Sequence, residues 1–347
     1  MKRLSLLILF VCMIGGNILA QEVKEKKAGC QVSFFPPLST QGLQASEYTN
    51  AVSLSILGGV SKNITAFSLS SLGTYVVNDI HGVHISGLGT YAGNSGNGLM
   101  LSGLMNRTKD FRGVAVSGLI NLAGDMNGHQ LSGVFNMTSG AMCGAQISGM
   151  ANVAGDINGV QIAGVVNIAK RVKGLQLAAL VNVAESNDYP VGLVNIIREG
   201  EMSVGISYNE IGSTVAAFRS GGRILYGIIG VGYNHKAKEG EFVTEGGLGA
   251  HIPICGRFRI NNEIRSQLLT DFSEWEDVTS HASVSIMPAF KICPQWEIFG
   301  GPSINYMKTD HAGNKKMFPS NHIWKKYTDD KLQQVYVGFS VGTHFIF

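Results

Sequence analysis

Apolar and polar residues alternate along this chain in a pattern that repeats. Between Ala51 and Val183 nine similar segments open at Ala51, Ala66, Gly82, Gly98, Gly113, Gly128, Gly144, Gly159 and Gly174, a period of 15 or 16 residues, and Tyr189-Pro-Val-Gly-Leu-Val-Asn-Ile-Ile is a trimmed tenth copy. Within a copy the second, fourth, eighth and tenth places are mostly apolar, as in Val160, Ile162, Val166 and Ile168, while Gln161, Ala163, Asn167 and Ala169 lie between them. A period of two is that of a strand, whose side chains alternate between faces. Runs such as Gly124-Asp-Met-Asn-Gly then supply residues that tolerate positive φ. Each copy is expected to hold about ten residues of strand and about five of turn.

From Glu201 the repeat stops and the alternation continues. Phe258, Ile260 and Ile264 oppose Arg257, Arg259, Glu263 and Arg265; Ala282, Val284, Ile286, Phe290 and Ile292 oppose Ser283, Ser285, Met287 and Lys291. Polar stretches over Thr270 to Ser280 and Lys308 to Lys331 are expected as loops, with tight turns joining other strands, the asymmetry of outer-membrane barrels. In the last segment Val335, Val337, Phe339, Val341, Phe345 and Phe347 share one face, and a final amphipathic strand ending on an aromatic is similar to the signal read by the barrel-assembly machinery of Gram-negative outer membranes.

The start of the chain alters the picture of where these strands reside. Met1-Lys-Arg, an apolar run from Leu4 to Ile14 and a small residue at Ala20 predict a secretory signal peptide over residues 1–20; Phe10 and Val11 before Cys12 make a poor lipidation signal. Residues 21–50, with three lysines and Pro36-Pro37, are expected to be an irregular lead-in. The repeat array then covers 51–198, and the strands of a C-terminal barrel cover 199–347. Gly is 45 of 347 residues and charged residues are 15%, against ordinary shares of about 7% and about 25%. No later segment is long and apolar enough for a membrane helix, so the positive mean hydropathy of +0.15 fits strands with one face against outer-membrane lipid. A net charge of +3 without a basic run argues against nucleic acid as a partner.

Cys255 and Cys293 each sit where one strand ends and another begins, and a disulfide between them is geometrically possible if both turns share a rim. Gly-x-Ser-x-Gly, a phosphate loop, His-Glu-x-x-His and Cys-x-x-Cys are all missing from the sequence, and no metal, cofactor or enzymatic activity is expected. His251 and His344, the latter near Ser340, are the minimum apparatus for hydrolysis and are expected to be structural. The row Arg257, Arg259, Glu263 and Arg265 reads as a lumenal charge cluster. Its mixed signs favour internal pairing with Glu245 and Glu297 over an anion filter.

The copies Gly159-Val-Gln-Ile-Ala-Gly-Val-Val-Asn-Ile-Ala and Gly174-Leu-Gln-Leu-Ala-Ala-Leu-Val-Asn-Val-Ala resemble the Gly-x-Gln-x-x-Gly-Leu-x-Asn unit of bacterial surface-repeat-containing proteins, as does Ile298-Phe-Gly-Gly-Pro-Ser-Ile-Asn-Tyr their C-terminal part. The resemblance implies a cell-surface or outer-membrane location and no activity.

Two all-β architectures satisfy the pattern. In the first, ten array strands join about eight later ones in one antiparallel outer-membrane barrel of about 16–18 strands, with Val160, Ile162, Val166 and Ile168 toward lipid and Gln161 and Asn167 toward the lumen. In the second, the array is a stacked β-solenoid, in which Asn106, Asn121, Asn136, Asn152, Asn167 and Asn182 form an amide ladder, followed by a barrel of about eight strands. The first predicts a barrel with a structural, surface-interaction or passive-transport role. The second predicts a surface adhesin or binding module that presents its array.

Overall fold

The computed structural model describes residues 26–237, 242–271, 274–309, 317–328 and 331–347. The expected signal peptide and Cys12 lie outside the described residues. The chain forms two bodies, a parallel β-solenoid and a closed antiparallel barrel of eight strands, so the single barrel of about 16–18 strands is corrected.

Each repeat is one coil of the solenoid. Asp110–Ser117 and Ile120–Ala123 are the two strands of one coil, and they pair in parallel and in register with Asp125–Ser132 and Phe135–Thr138 of the next. A barrel wall needs antiparallel neighbours at this connection length; parallel stacking at zero offset brings Gly113 beside Gly128, and Gly128 beside Gly144. The corner at Ser117-Gly118-Leu119 interrupts the ten-residue strand without disturbing the period of two. Val114, Val116, Ile120 and Leu122 all point outward, and Ala115, Ser117, Asn121 and Ala123 are buried within.

A second corner lies at the opening glycine of the seven copies from Gly82 to Gly174. Gly128 has φ +138°, and a methyl group there would come within 1.9 Å of the carbonyl oxygen of Gly113 in the preceding coil. Glycine is therefore required by both the backbone angle and the close approach. The bend divides the long strand and makes the coil three-sided.

The interior is polar. Asn106 donates its side-chain N–H to Asn121 Oδ1 at 3.0 Å, and the chain of donations continues through Asn136, Asn152, Asn167 and Asn182 to Asn195. Each amide also reaches a backbone carbonyl, as Asn152 does Ile162 O at 2.7 Å. A second ladder runs in the opposite sense, from Gln176 to Gln161 to Gln146 to Gln130. Buried amides persist because all of these have partners. Ile64, Ile80, Met126, Ile157 and Val172 fill the remaining apolar strip of the interior.

The lead-in is also corrected: Lys26–Phe35 is a strand that pairs in parallel with Tyr48–Ser55. Gln31 is buried and accepts from Asn50, Ser53 and Ser61, which closes the open end of the polar core.

The barrel strands are Glu201–Asn209, Ser213–Gly221, Leu225–Asn234, Phe242–Cys255, Phe258–Asp271, Glu274–Cys293, Trp296–Thr309 and Lys331–Ile346, and the last pairs with the first to close the sheet. Trp324–Thr328 adds a short ribbon beside Lys331–Ile346. The expected loop over Thr270 to Ser280 is instead the tip of a long hairpin, with Asp271 paired to Glu274. Following hydrogen-bonded partners round from Trp296 leads through Phe345, Val204, Phe218, Ile229, Gly246, Ser266 and Ala282 back to Tyr306 on the starting strand, a stagger of ten residues. Spread over eight strands, that stagger tilts each by about 40°.

Outward positions of the barrel are apolar, among them Ile206, Val231, Ile264, Val284, Ile304 and Val337. Phe258, Phe290, Trp296 and Phe345 lie near one end of this belt and Tyr208, Tyr233, Phe242 and Tyr306 near the other. Ten tilted residues separate Trp296 from Tyr306, a height of about 25 Å, which matches the hydrocarbon thickness that outer-membrane barrels span. One rim carries the short turns at 222–224, 256–257 and 294–295; the other carries the turn at 210–212, the tip of the long Phe258–Cys293 hairpin and the two longest connections, after Asn234 and after Thr309.

Candidate functional site

The barrel interior gathers its charges into two connected groups. At the short-turn end, Arg259 donates to both oxygens of Glu201, at 3.0 and 2.6 Å, and to Glu297. Glu297 also accepts from Asn261 at 2.9 Å and lies 3.1 Å from His344 Nε2, while Lys291 reaches Glu201 at 3.2 Å. Higher up, Arg219 donates to Glu263 at 2.8 and 3.3 Å, and the Tyr226 hydroxyl donates to the same carboxylate at 2.9 Å. Arg265 stands 3.5 Å from Glu263 and 3.8 Å from Glu245, and donates to Ser285 at 3.2 Å. The carboxyl of Glu245 accepts from Gln267 at 2.6 Å.

Three of the four sequence-predicted cluster residues, Arg259, Glu263 and Arg265, are therefore brought together, with the expected partners Glu245 and Glu297. Arg257 is not. The strand begins at Phe258, so Arg257 falls in the exposed turn before it, donating to Ile292 O at 3.4 Å. Sequence reasoning missed Glu201, Arg219 and Tyr226. Their signal was the same alternation: Arg219 is the one charge among the inward positions Ser213, Val215, Ala217 and Arg219 of its strand.

The inner members of these groups are sealed from water, while Glu201 and Lys291 at the rim stay partly exposed. Glu263 is 1% exposed, Glu297 0% and Arg219 3%, and Tyr226, Phe299, Met287 and Tyr336 fill the space around them. Acidic and basic side chains in like number pair with one another, which is the condition for burying charge, although Arg219 Nη1, Arg265 Nε and Glu245 Oε1 make no hydrogen bond. The arrangement braces a closed barrel and leaves no row of free cations to select anions.

Cys255 and Cys293 do lie in turns on one rim, since Cys255 pairs with Phe258 and Cys293 with Trp296 across adjacent hairpins. Both thiols are free, which corrects the bridge read as possible from the sequence. His344 meets Glu297 and the ring of Phe299. Ser340 is four residues away on the same strand, about 13 Å by strand geometry, too far to serve as its nucleophile. His251 is held by Asn261 at 2.8 Å.

The junction between the two bodies is polar and close. Asn195, at the end of the asparagine ladder, donates its backbone N–H to Ser220 Oγ at 3.0 Å and its side-chain amide to Ser220 O at 3.1 Å. Leu225 donates its N–H to Asp188 O at 3.3 Å. A methyl group on Gly227 would come within 2.1 Å of Gly192 O, so the last coil rests directly on the barrel backbone.

The third side of the solenoid is polar. Asn127, Cys143, Asn158 and Lys173 follow Arg112 in register along it. Asp156 pairs with Arg171 between neighbouring coils, and a shallow groove of about 840 Å³ runs beside them.

The fold thus defines an all-β protein made of a repeat solenoid and a closed eight-stranded barrel. No known family profile and no curated protein matches the chain. Among solved structures it is similar to one from the de novo design of transmembrane beta-barrels, with 12% identity over 42% of this chain and 93% of that one, at a TM-score of 0.24.

Proposed function

We propose that the protein is a non-catalytic outer-membrane barrel protein of the surface-repeat type, exported by its N-terminal segment and assembled through its last strand by the barrel-assembly machinery, with a structural or surface-interaction role. The observation that carries this reading is the inverted surface of the barrel: an apolar belt between two aromatic bands outside, and mutually paired charges inside. Water would reward the opposite arrangement, and lipid rewards this one. The filled lumen favours a scaffold over passive transport.

The test is gel mobility of the full-length protein extracted from outer membranes, boiled and unboiled, together with planar-bilayer conductance. A faster unboiled band and no conductance steps are expected. Recovery in the soluble fraction with no heat-dependent shift would overturn the membrane assignment. A second reading, a binding module that presents its array, draws support from the polar third side. Short turns face the periplasm in outer-membrane barrels, and the array joins the barrel at that rim, so this side would meet periplasmic partners.

A further inference from the structure

The solenoid is turned inside out in the same sense as the barrel. Five outward ladders follow its coils. One begins Leu54, Leu69, Ile85 and continues to Ile162 and Leu177; the corner between the two apolar sides carries Leu57, Leu72, Leu88, Leu104, Leu119, Met150, Leu180 and Leu193, each roughly half exposed. Among the residues of these ladders Arg107 bears the one formal charge, and it stands over the ring of Tyr91. Arg107 and His129 both occupy places next to the polar third side. Soluble proteins rarely leave more than a few hundred Å² of contiguous apolar surface in water, and this surface runs the length of the array.

We propose that the array lies in the plane of the membrane as a wedge, with its two apolar sides among the acyl chains of the leaflet on the short-turn side and its third side in water. The proposal rests on the outer-membrane reading of the barrel. Its orientation comes from the junction. Carbonyls of the last coil, those of Asn187, Gly192 and Leu193, face the outer wall of the barrel, so the solenoid axis leads away from that wall. Asp188, at the polar side, meets Leu225 beside the short-turn rim. The side chain of Leu193, at the apolar corner, reaches Gly246 on the lipid-facing wall, where a methyl group would be 3.8 Å from its Cδ2.

Gly246 lies four residues beyond Ala250, the partner of Leu225. The apolar corner therefore sits on the order of 10 Å deeper than the polar side, the depth to which interfacial apolar faces enter a leaflet. The leucine corner is continuous with the barrel belt. Apart from Tyr75, Tyr91, Arg107, His129 and Tyr189 the ladders carry no hydrogen-bonding side chains, far fewer than a specific protein interface of this length presents, which selects fluid hydrocarbon as the occupant.

The experiment uses full-length protein with its native cysteines replaced by serine, reconstituted in phosphatidylethanolamine–phosphatidylglycerol vesicles. Nitroxide labels are placed at Leu88→Cys, Leu119→Cys and Leu180→Cys, with Val337→Cys on the barrel belt and Asn127→Cys on the polar side as references. Collisions with oxygen report lipid; collisions with a polar nickel chelate report water. The leucine positions are expected to match Val337→Cys and to show a several-fold higher oxygen-to-nickel ratio than Asn127→Cys. Nickel accessibility at Leu119→Cys equal to that at Asn127→Cys, with Val337→Cys still in lipid, would overturn the wedge alone. Shielding of Leu119→Cys from both reagents would overturn it in favour of a protein partner. Loss of the lipid signature at Val337→Cys would overturn the barrel reading and the wedge with it. An unchanged heat-dependent gel shift in each variant reports an intact fold.

Discussion

Asn195 donates its side-chain amide to the carbonyl of Ser220 at 3.1 Å, so the amide ladder that runs through the repeat array ends on the wall of the barrel. A solenoid normally needs a cap on its last coil, because the backbone groups there have no next coil to meet. Here the barrel is the cap, and Gly227 is the place where the two backbones come nearest.

Gly227→Val is therefore expected to separate the bodies without unfolding either, because the barrel strands keep their own ladder. The exposed link at Arg198 and Glu199 then becomes open to trypsin. Release of an intact C-terminal barrel from the variant, with the native protein resistant, is the expected result; equal resistance would argue that the junction is soft.

Within the array, Asn152→Leu removes the side-chain donor to both Ile162 O and Asn167 Oδ1 in the buried core. Each buried group stranded in this way costs about 1–3 kcal/mol, so the array is expected to lose roughly 2–5 kcal/mol in urea unfolding. Asn158→Leu, on the exposed polar side, is expected to change stability by less than about 0.5 kcal/mol.

Glu263 accepts from Arg219 and Tyr226 and stands beside Arg265, so Glu263→Gln leaves the buried Arg219 guanidinium without an ionic partner and takes one of two from Arg265. Breaking a buried pair from one side costs about 3–5 kcal/mol, and the urea midpoint for loss of the fast unboiled gel band is expected to fall accordingly. Arg257→Ser, in the exposed turn, serves as the silent control.

His84 is buried inside the array with Nδ1 2.9 Å from Ser68 Oγ, and burial pushes its pKa from 6.5 down to about 4. Its neutral form is the one the fold accepts. The stability it contributes is whole above pH 6.5 and is lost as the pH falls toward about 4, where the ring must charge. His84→Gln, the residue that later coils hold at the same place from Gln130 to Gln176, is expected to flatten the fall in array stability over that window, measured by urea midpoints at several pH values.

Much of this protein is written locally. The period of two in Val160 to Ile168, the fixed place of Asn152 and Asn167, and the outward row from Val337 to Phe347 each specify which side chains share a face, because a strand leaves them no other choice. The amide ladder and the inward setting of Arg259, Glu263 and Arg265 follow from that alternation. The place of Arg257 does not, since the strand that carries Arg259 begins only at Phe258 and Arg257 belongs to the turn before it, where alternation no longer assigns a face.

The larger choice, one wide barrel or a solenoid beside a narrow one, was undecided by pattern because the corner at Gly118-Leu119 preserves the alternation on both sides. Either arrangement puts Val160 outward and Gln161 inward. What decides between them is pairing between distant segments: Gly113 stacked on Gly128 in parallel register, and Val204 closing on Phe345 to complete a barrel of eight. Alternation records the face of each residue; only tertiary structure, through backbone hydrogen bonds between strands far apart in the chain, determines which neighbour that face is shared with.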